Sequence, residues 1–200
     1  MKKWLISKIT DFENWDCIAA LDDFSYPWLN EVSPKTEFRG YYDTNFFHFH
    51  FTAYGSVPKV YVETNDKLEV RFSERVELFF RGNDKMQPYY CLEMDPRGRV
   101  LDYKANMYRK FDRSWTWPDS LGIKIKCDRE KYTLEGRIKL KRLKELGLLS
   151  SFEIQIGLYR GQCVSLDRKS ESIKWISWVD PKTKNPDFHV PSSFGILRLR

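Results

Sequence analysis

The chain has 200 residues, of which 42% are hydrophobic and 31% charged, and its formal net charge is +6. This apolar content is enough for one substantial core, which argues against a disordered chain. No segment approaches the roughly 20 consecutive apolar residues of a membrane span. The apolar run after the basic N-terminus stops at Lys8, too early for a signal peptide. We therefore expect a soluble monomer with no membrane partner.

Aromatic residues make up 16% of the chain. Such an excess favours strands, and surplus aromatic side chains often line sites for flat ligands. The four cysteines lie far apart and form no CxxC pair, so a zinc knuckle is not expected. Cys91 and Cys127 fall in predicted strands, where they are expected to act as small core residues.

Period-two alternation of apolar residues, bounded by turn signals, predicts ten strands after a lead-in at 1–16. They are residues 36–42, 46–54, 73–80, 89–95, 100–107, 123–127, 132–140, 152–161, 173–178 and 194–199. Two weaker candidates lie at 17–24 and 59–63. One short helix is predicted at 141–148, where Gly147 ends it.

Strands at spacings of about 10 to 20 residues, with a single short helix, are typical of an antiparallel β-sandwich. The sequence has no internal repeat, low-complexity tract or linker. We therefore predict one all-β domain over residues 1–200. In the strand at 46–54, Phe47, Phe49 and Phe51 alternate with His48 and His50, so the three phenylalanines are expected in the core.

The predicted strands at 73–80 and 89–95 each carry one carboxylate among apolar residues, Glu77 and Glu93. A carboxylate in such a strand must face solvent, pair with a cation or serve a ligand, because burying it alone is costly. We expect the two strands to be neighbours joined by the loop at 81–88. Glu77 and Glu93 are therefore candidates for the chemistry of a site.

The order of several motifs resembles the family 9 carbohydrate-binding modules and their wider relatives among the DOMON-type β-sandwiches. The motifs are FRGYYD at 38–43 with FFHF at 46–49, ERVELF at 74–79, YCLEMDPRG at 90–98, YTLEGRI at 132–138, and SWVDP at 177–181 with HVPSSFGILRL at 189–199. The resemblance covers about residues 36 to 199. It implies a jelly-roll-like or immunoglobulin-like sandwich that binds a sugar without cleaving it.

The same resemblance implies where a ligand is held. Family members grip a sugar ring between two tryptophans, and the positions that match these are Arg71 and Phe188 in this chain. A position that supplies an arginine in the family is Glu93 here, and Asn185 matches a nearby polar contact. Because both clamp tryptophans are replaced, Trp115 or Trp117 is a candidate for the replacement platform.

We therefore predict a carbohydrate site of aromatic stacking and side-chain hydrogen bonds. Its predicted residues are Arg71, Glu93, Trp115, Trp117, Asn185 and Phe188. An interaction module that binds no sugar and a single-stranded nucleic-acid binder are the alternatives. Acidic residues share the basic strands and no RNP-like motif occurs, so no nucleic-acid partner is expected.

Catalytic and metal-binding functions have weaker support. Glu77 and Glu93 are the only acids that resemble a glycosidase pair, and there is no nucleophile elbow, Gly-rich phosphate loop or HExxH motif. No enzyme and no cofactor are therefore expected. Two alternatives stay open. They are a metal site at His48, His50 and His189, and a structural calcium ion bound by carboxylates such as Asp22, Asp23 and Asp43.

Overall fold

The computed structural model describes residues 1–55 and 57–200. Its strands are β1 (Lys3–Lys8), β2 (Thr36–Tyr42), β3 (Phe46–Tyr54), β4 (Arg75–Arg81), β5 (Tyr89–Met94), β6 (Val100–Ala105), β7 (Phe111–Asp112), β8 (Lys124–Cys127), β9 (Lys131–Lys139), β10 (Leu149–Ser150), β11 (Glu153–Cys163), β12 (Ile173–Ser177) and β13 (Gly195–Leu199). The α-helix α1 is Leu140–Glu145, and 3₁₀ helices span Trp15–Cys17, Lys67–Phe72, Ser170–Ser172 and Pro191–Ser193. No helix in the described residues is long and apolar enough to cross a bilayer.

The strands form two sheets that share β1. The larger sheet has the order β7-β6-β5-β4-β11-β13-β1, and the smaller one has the order β1-β2-β3-β9-β8. On the edge of β11 opposite β4, β13 pairs with the first half of the strand and β12 with the second half. Neighbours are antiparallel, except that β1 is parallel to β13 and β2. The prediction of an all-β sandwich is confirmed.

The lead-in predicted at 1–16 is wrong in one respect, because it contains β1. Lys3 to Ile6 pair with β13 of the larger sheet, and Ser7 and Lys8 pair with β2 of the smaller sheet. Only Ile6 in this strand is buried. The strand is therefore held by backbone pairing at two sheet edges, and its sequence lacks the alternation that would have revealed it.

The two weaker candidate strands do not form. Residues 17–24 contain the end of a 3₁₀ helix and a single isolated bridge from Leu21 to Phe38, and 59–63 contain no strand. Cys127 is exposed rather than in the core, whereas Cys91 is buried as expected. All four cysteines are free thiols.

The core lies between the two sheets and is rich in aromatic rings. Phe47, Phe49 and Phe51 of β3 are each 0% exposed and face Val76, Leu78 and Phe80 of β4 within one apolar cluster. Burial of one such side chain contributes about 2–3 kcal/mol. Gly136 of β9 lies against Phe49, and a Cβ at this position would be 2.5 Å from the ring. The strand pair β3–β9 can therefore approach closely only with glycine there.

A buried ion pair joins the sheets at one end of this core. Arg160 of β11 donates from Nε to Glu74 Oε1 at 2.7 Å and from Nη1 to the carbonyl of Tyr54 in β3 at 2.9 Å. Glu74 also accepts from the backbone N–H of Cys163 at 2.8 Å. Arg160 and Glu74 are each 3% exposed. The pair therefore satisfies polar groups from both sheets in a place that water does not reach.

Replacing Glu74 with Gln keeps the shape of the side chain but leaves Arg160 buried without its counter-charge. We expect the free energy of unfolding to fall by about 3 kcal/mol, which urea denaturation would measure. Glu145→Gln is the control, because it breaks an ion pair with Arg142 on the surface of α1. That change should cost less than about 1 kcal/mol, and equal losses in the two variants would contradict the assigned role of Glu74.

Candidate functional site

A cleft lies on the face of the larger sheet that points away from the core. Alternation in β4 sends Val76 and Leu78 into the core and sends Arg75, Glu77 and Phe79 to this opposite face. The loop at 180–194 and the loop at 106–110 border the cleft, which has a cavity volume of about 220 Å³. The outward side chains of β4 to β6 therefore become the floor of a concave site.

The centre of the floor is one arginine held between two carboxyl groups. Arg75 Nε lies 2.8 Å from Glu77 Oε1 and 2.9 Å from Glu93 Oε2. The Tyr103 hydroxyl donates to the second oxygen of Glu93 at 2.9 Å. Arg75 Nη1 donates to the backbone carbonyls of Arg71 and Ser73. Glu77 and Glu93 are opposite each other in the β4–β5 register, so a single guanidinium can reach both.

Burial determines the charge state of this cluster. Burial, and then the neighbouring Glu93 carboxylate, raise the pKa of Glu77 to about 8, although Arg75 acts in the opposite direction. Glu77 is therefore largely protonated near pH 7 and can donate a hydrogen bond. The cluster then combines donors on Arg75, Glu77 and Tyr103 with an acceptor on Glu93.

Aromatic side chains stand at both ends of the cleft. Trp175 of β12 lies in register with Gly161 and Arg75, and the Arg75 guanidinium is 4.8 Å from its ring centroid. Phe111 of β7 stands at the opposite sheet edge and packs edge-on against Tyr103. The two rings thus lie on either side of the charged floor.

Two further aromatic residues, Phe188 and Trp28, line the cleft beside Trp175. Phe188 stacks flat on Tyr159 with ring centroids 3.9 Å apart and is buried. Trp28 packs against Phe188 at 5.3 Å and donates from its indole nitrogen to the Thr183 carbonyl at 2.9 Å. Trp28 and Trp175 are only half-buried, so both retain exposed ring surface.

The rim of the cleft carries charged and titratable groups from three loops. Arg109 pairs with Asp187 at 3.0 Å, and Arg71 and Arg113 are exposed. His189 packs against Phe111, and its Nδ1 lies within hydrogen-bond distance of the Tyr89 hydroxyl, at 3.0 Å. That hydroxyl in turn accepts from the backbone N–H of Arg109. Burial, and then Arg109, lower the pKa of His189 to about 4, so the imidazole is neutral near pH 7.

The cleft brings together three of the six residues predicted from the sequence: Arg71, Glu93 and Phe188. Trp115 and Trp117 lie elsewhere, because they pack on Tyr90 and Phe80 at the core side of the larger sheet. Asn185 is exposed beside Pro186, which lines the cleft, while Asn185 does not.

The cleft also contains residues that were not among the candidates, including Trp28, Arg75, Phe111 and Trp175. Trp175 alternates with Ile176 and Trp178 of a predicted strand, so the sequence could indicate which face it occupies. Its position beside β11 could not be read from the sequence, because that depends on strand order. The local sequence does indicate Arg75 as a partner of Glu77, because it lies two residues before this carboxylate and an arginine can pair with it.

The residues considered for metal binding do not converge. His48 contacts Asp43 at 2.7 Å and His50 stacks under Trp15, both on the outer face of the smaller sheet, far from the His189 cleft. Asp23 pairs with Lys2. Within residues 1–55 and 57–200, no group of three or more His, Cys, Asp or Glu side chains could hold a metal ion.

The sequence and fold agree with known carbohydrate-binding modules. Residues 13–200 match the family model described as "Carbohydrate family 9 binding domain-like", and the chain belongs to this family. The sequence matches no curated protein significantly.

Three solved structures share the fold. A candidate carbohydrate-binding protein from Bacteroides uniformis superposes with a TM-score of 0.71 at 18% identity, over 100% of this chain and 99% of that one. A family 9 module from Caldicellulosiruptor kristjanssonii in complex with glucose gives 0.63 at 15% identity, covering 100% and 96%. Its complex with cellotriose gives 0.64 at 14% identity, covering 100% and 94%. At these identities, the likeness shows a shared fold.

The charge state of Glu77 gives a prediction for the free energy of unfolding between about pH 4.5 and pH 8. Its pKa is near 4.5 in the unfolded chain and about 8 in the folded one, so its contribution is present below pH 4.5 and lost as pH rises through 8. Denaturation of the wild type at a series of pH values should show this loss, and Glu77→Gln should not. The control, Glu153→Gln, alters an exposed pair with Arg198 and should retain the wild-type slope.

The lowered pKa of His189 acts in the acidic range. The unfolded chain takes up this proton near pH 6.5 and the folded chain near pH 4, so stability is present above pH 6.5 and lost as pH falls through 4. His189→Gln should flatten the free energy of unfolding between pH 6.5 and 4. Burial lowers the pKa of His50 similarly, so a second variant, His50→Gln, should flatten the remaining slope. An unchanged slope in both variants would contradict these assignments.

Proposed function

We propose that the chain is a non-catalytic module that binds a carbohydrate in the cleft on the larger sheet. The observation that carries this proposal is the arrangement of Trp175 and Phe111 on either side of the Arg75–Glu77–Glu93 floor. A sugar ring presents C–H groups that stack on aromatic faces and hydroxyl groups that require donors and acceptors. The cleft offers both within one small concavity.

The size of the cleft suggests how the ligand sits. Its volume of about 220 Å³ lies below the roughly 300–1,000 Å³ typical of pockets that enclose a whole drug-sized ligand. The site therefore suits a small sugar or one end of a longer chain. Glucose and cellotriose in the Caldicellulosiruptor module support a ligand of this class.

The floor supports binding rather than catalysis. Glu77 and Glu93 share the Nε of one guanidinium, and Glu93 also accepts from Tyr103. A retaining glycosidase needs one free carboxylate nucleophile and one separate acid, each facing the scissile bond. Carboxyl groups fixed by the same cation suit hydrogen bonding to hydroxyls.

The stacking platform differs from the one that the sequence suggested. Phe188 has one face covered by Tyr159 and also packs against Trp28 and Trp175. Its contribution is therefore to support the neighbouring rings. Trp175, half-buried and fixed by the Arg75 guanidinium on one side, is the ring that we assign to stacking.

Replacing Trp175 with Ala removes this surface. Loss of one stacked ring costs about 1–3 kcal/mol by analogy with base–aromatic stacking, so we expect affinity for a bound oligosaccharide to fall at least about tenfold. A glycan array would identify the ligand, and isothermal titration calorimetry would measure the change. Far-ultraviolet circular dichroism and the melting temperature would establish that the variant is folded.

Trp115→Ala is the matched control. Trp115 is also half-buried but lies on the core side of the larger sheet, so the folded variant should bind like the wild type. Equal loss of binding in the two variants would contradict the assigned site. Absence of binding to any glycan by the native protein would contradict the proposed function itself.

A further inference from the structure

Two arginines at the rim of the cleft pack on aromatic rings and donate no side-chain hydrogen bond within the part of the chain that the structure describes. The Arg71 guanidinium lies 4.6 Å from the ring centroid of Phe72, and that of Arg113 lies 5.4 Å from the ring centroid of Phe111. Stacking of this kind uses the face of the guanidinium and leaves its in-plane N–H groups free. Across residues 1–55 and 57–200, no carboxylate pairs with either guanidinium.

The other arginines of the cleft are already neutralised. Arg75 lies between Glu77 and Glu93, and Arg109 pairs with Asp187. The lining thus contains four arginines and three carboxyl groups. Since burial raises the pKa of Glu77 to about 8, the excess of positive charge near pH 7 is larger than this count suggests. That excess is located at Arg71 and Arg113.

These two guanidiniums approach the cleft from different elements. Arg71 lies at the end of the 3₁₀ helix Lys67–Phe72, and its carbonyl accepts from Arg75 Nη1 at 3.0 Å, so it stands directly beside the floor. Arg113 follows β7 at the sheet edge. A ligand seated on the floor would therefore meet unpaired guanidinium groups at two places along its length.

We propose that the saccharide bound in this cleft is acidic, and that Arg71 and Arg113 bind its carboxylate or sulfate groups. This inference rests on the proposed function and names the ligand class for the same site. A guanidinium fork matches the geometry of both anions and can bind either one through two parallel hydrogen bonds. A neutral sugar would leave both positive charges without a counter-charge.

A nucleic acid is also anionic, but the cleft suits it less well. Single-strand binders use an extended positive groove that follows the phosphate backbone over several nucleotides. Here the cavity is about 220 Å³ and its floor and rim include Glu93 and Asp187. Isolated anionic groups on a short saccharide fit this alternation of positive and negative charge better than a continuous phosphate chain does.

The test compares an acidic trisaccharide with its uncharged methyl ester and with a neutral trisaccharide. Calorimetry with trigalacturonate, its methyl ester and cellotriose would be run at about 50 mM and about 500 mM NaCl, where screening differs strongly. We expect the acid to bind at least about tenfold more tightly than its methyl ester at low salt, with most of the difference lost at high salt. A sulfated, carboxyl-free trisaccharide in a parallel titration would show which anion is preferred.

Single substitutions identify the residues responsible for the preference for an acidic ligand. Arg71→Gln and Arg113→Gln should each weaken binding of the preferred acidic ligand about fivefold and leave the neutral ligands unchanged. Arg129→Gln is the matched control, because it removes the same charge from an exposed turn between β8 and β9 on the smaller sheet. It should leave all affinities unchanged.

The outcomes separate this inference from the proposed function. The neutral ligands could bind as tightly as the acidic trisaccharide, or more tightly, in a manner that Trp175→Ala abolishes. That result would overturn the inference of an acidic ligand and retain the proposed carbohydrate site. An equal loss in Arg129→Gln would overturn the roles of Arg71 and Arg113. Preferential binding of a single-stranded oligonucleotide that displaces trigalacturonate would overturn the inference in favour of a nucleic acid. Failure of every saccharide to bind the folded protein would overturn both proposals.

Discussion

The buried guanidinium of Arg75 is the constraint on which the cleft depends. A charge removed from water must be balanced, and here the Glu93 carboxylate supplies the counter-charge while Glu77 on the adjacent strand accepts from the same Nε. The neighbouring strand β11 must also leave room for this side chain. Gly161 does so, because a Cβ at that position would lie 3.1 Å from Arg75 Nη1. Arg75 also fixes Trp175, which packs on the same guanidinium. The floor and the aromatic wall are therefore positioned by one side chain.

The sequence predicted most of the sandwich because its inner strands are half-buried in a regular way. In β3 and β4, alternate residues are large and apolar, and such strands are recognised by their period. β1 lacks this pattern because Ile6 is its one buried residue and Trp4 packs half-buried against the core, so the strand is held mainly by backbone pairing with β13 and β2. The candidate strand at 17–24 was wrong for the opposite reason. It contains apolar residues that pack on the core without forming a ladder.

The candidate site was less predictable than the fold. Arg71, Glu93 and Phe188 were identified through the order of motifs in the resemblance, which reflects chain topology. Trp115 and Trp117 satisfied the same chemical requirement, and only the structure shows that they cover the core side of the sheet. Composition reveals an excess of aromatic rings, but it does not say on which side of a sheet each ring lies. That choice depends on strand order and on side-chain direction in irregular segments.

The position of β13 has a consequence for how the chain folds during synthesis. This last strand lies between β11 and β1, so residues near the two ends of the chain are paired in the middle of the assembled sheets. A nascent chain can form hairpins such as β2–β3 and β4–β5 early, but the larger sheet stays divided until Gly195 to Leu199 leave the ribosome. Pairing across so great a sequence separation is slow. The edges of β11 and β1 are therefore exposed until then, and a chaperone that covers unpaired strands would act at this stage.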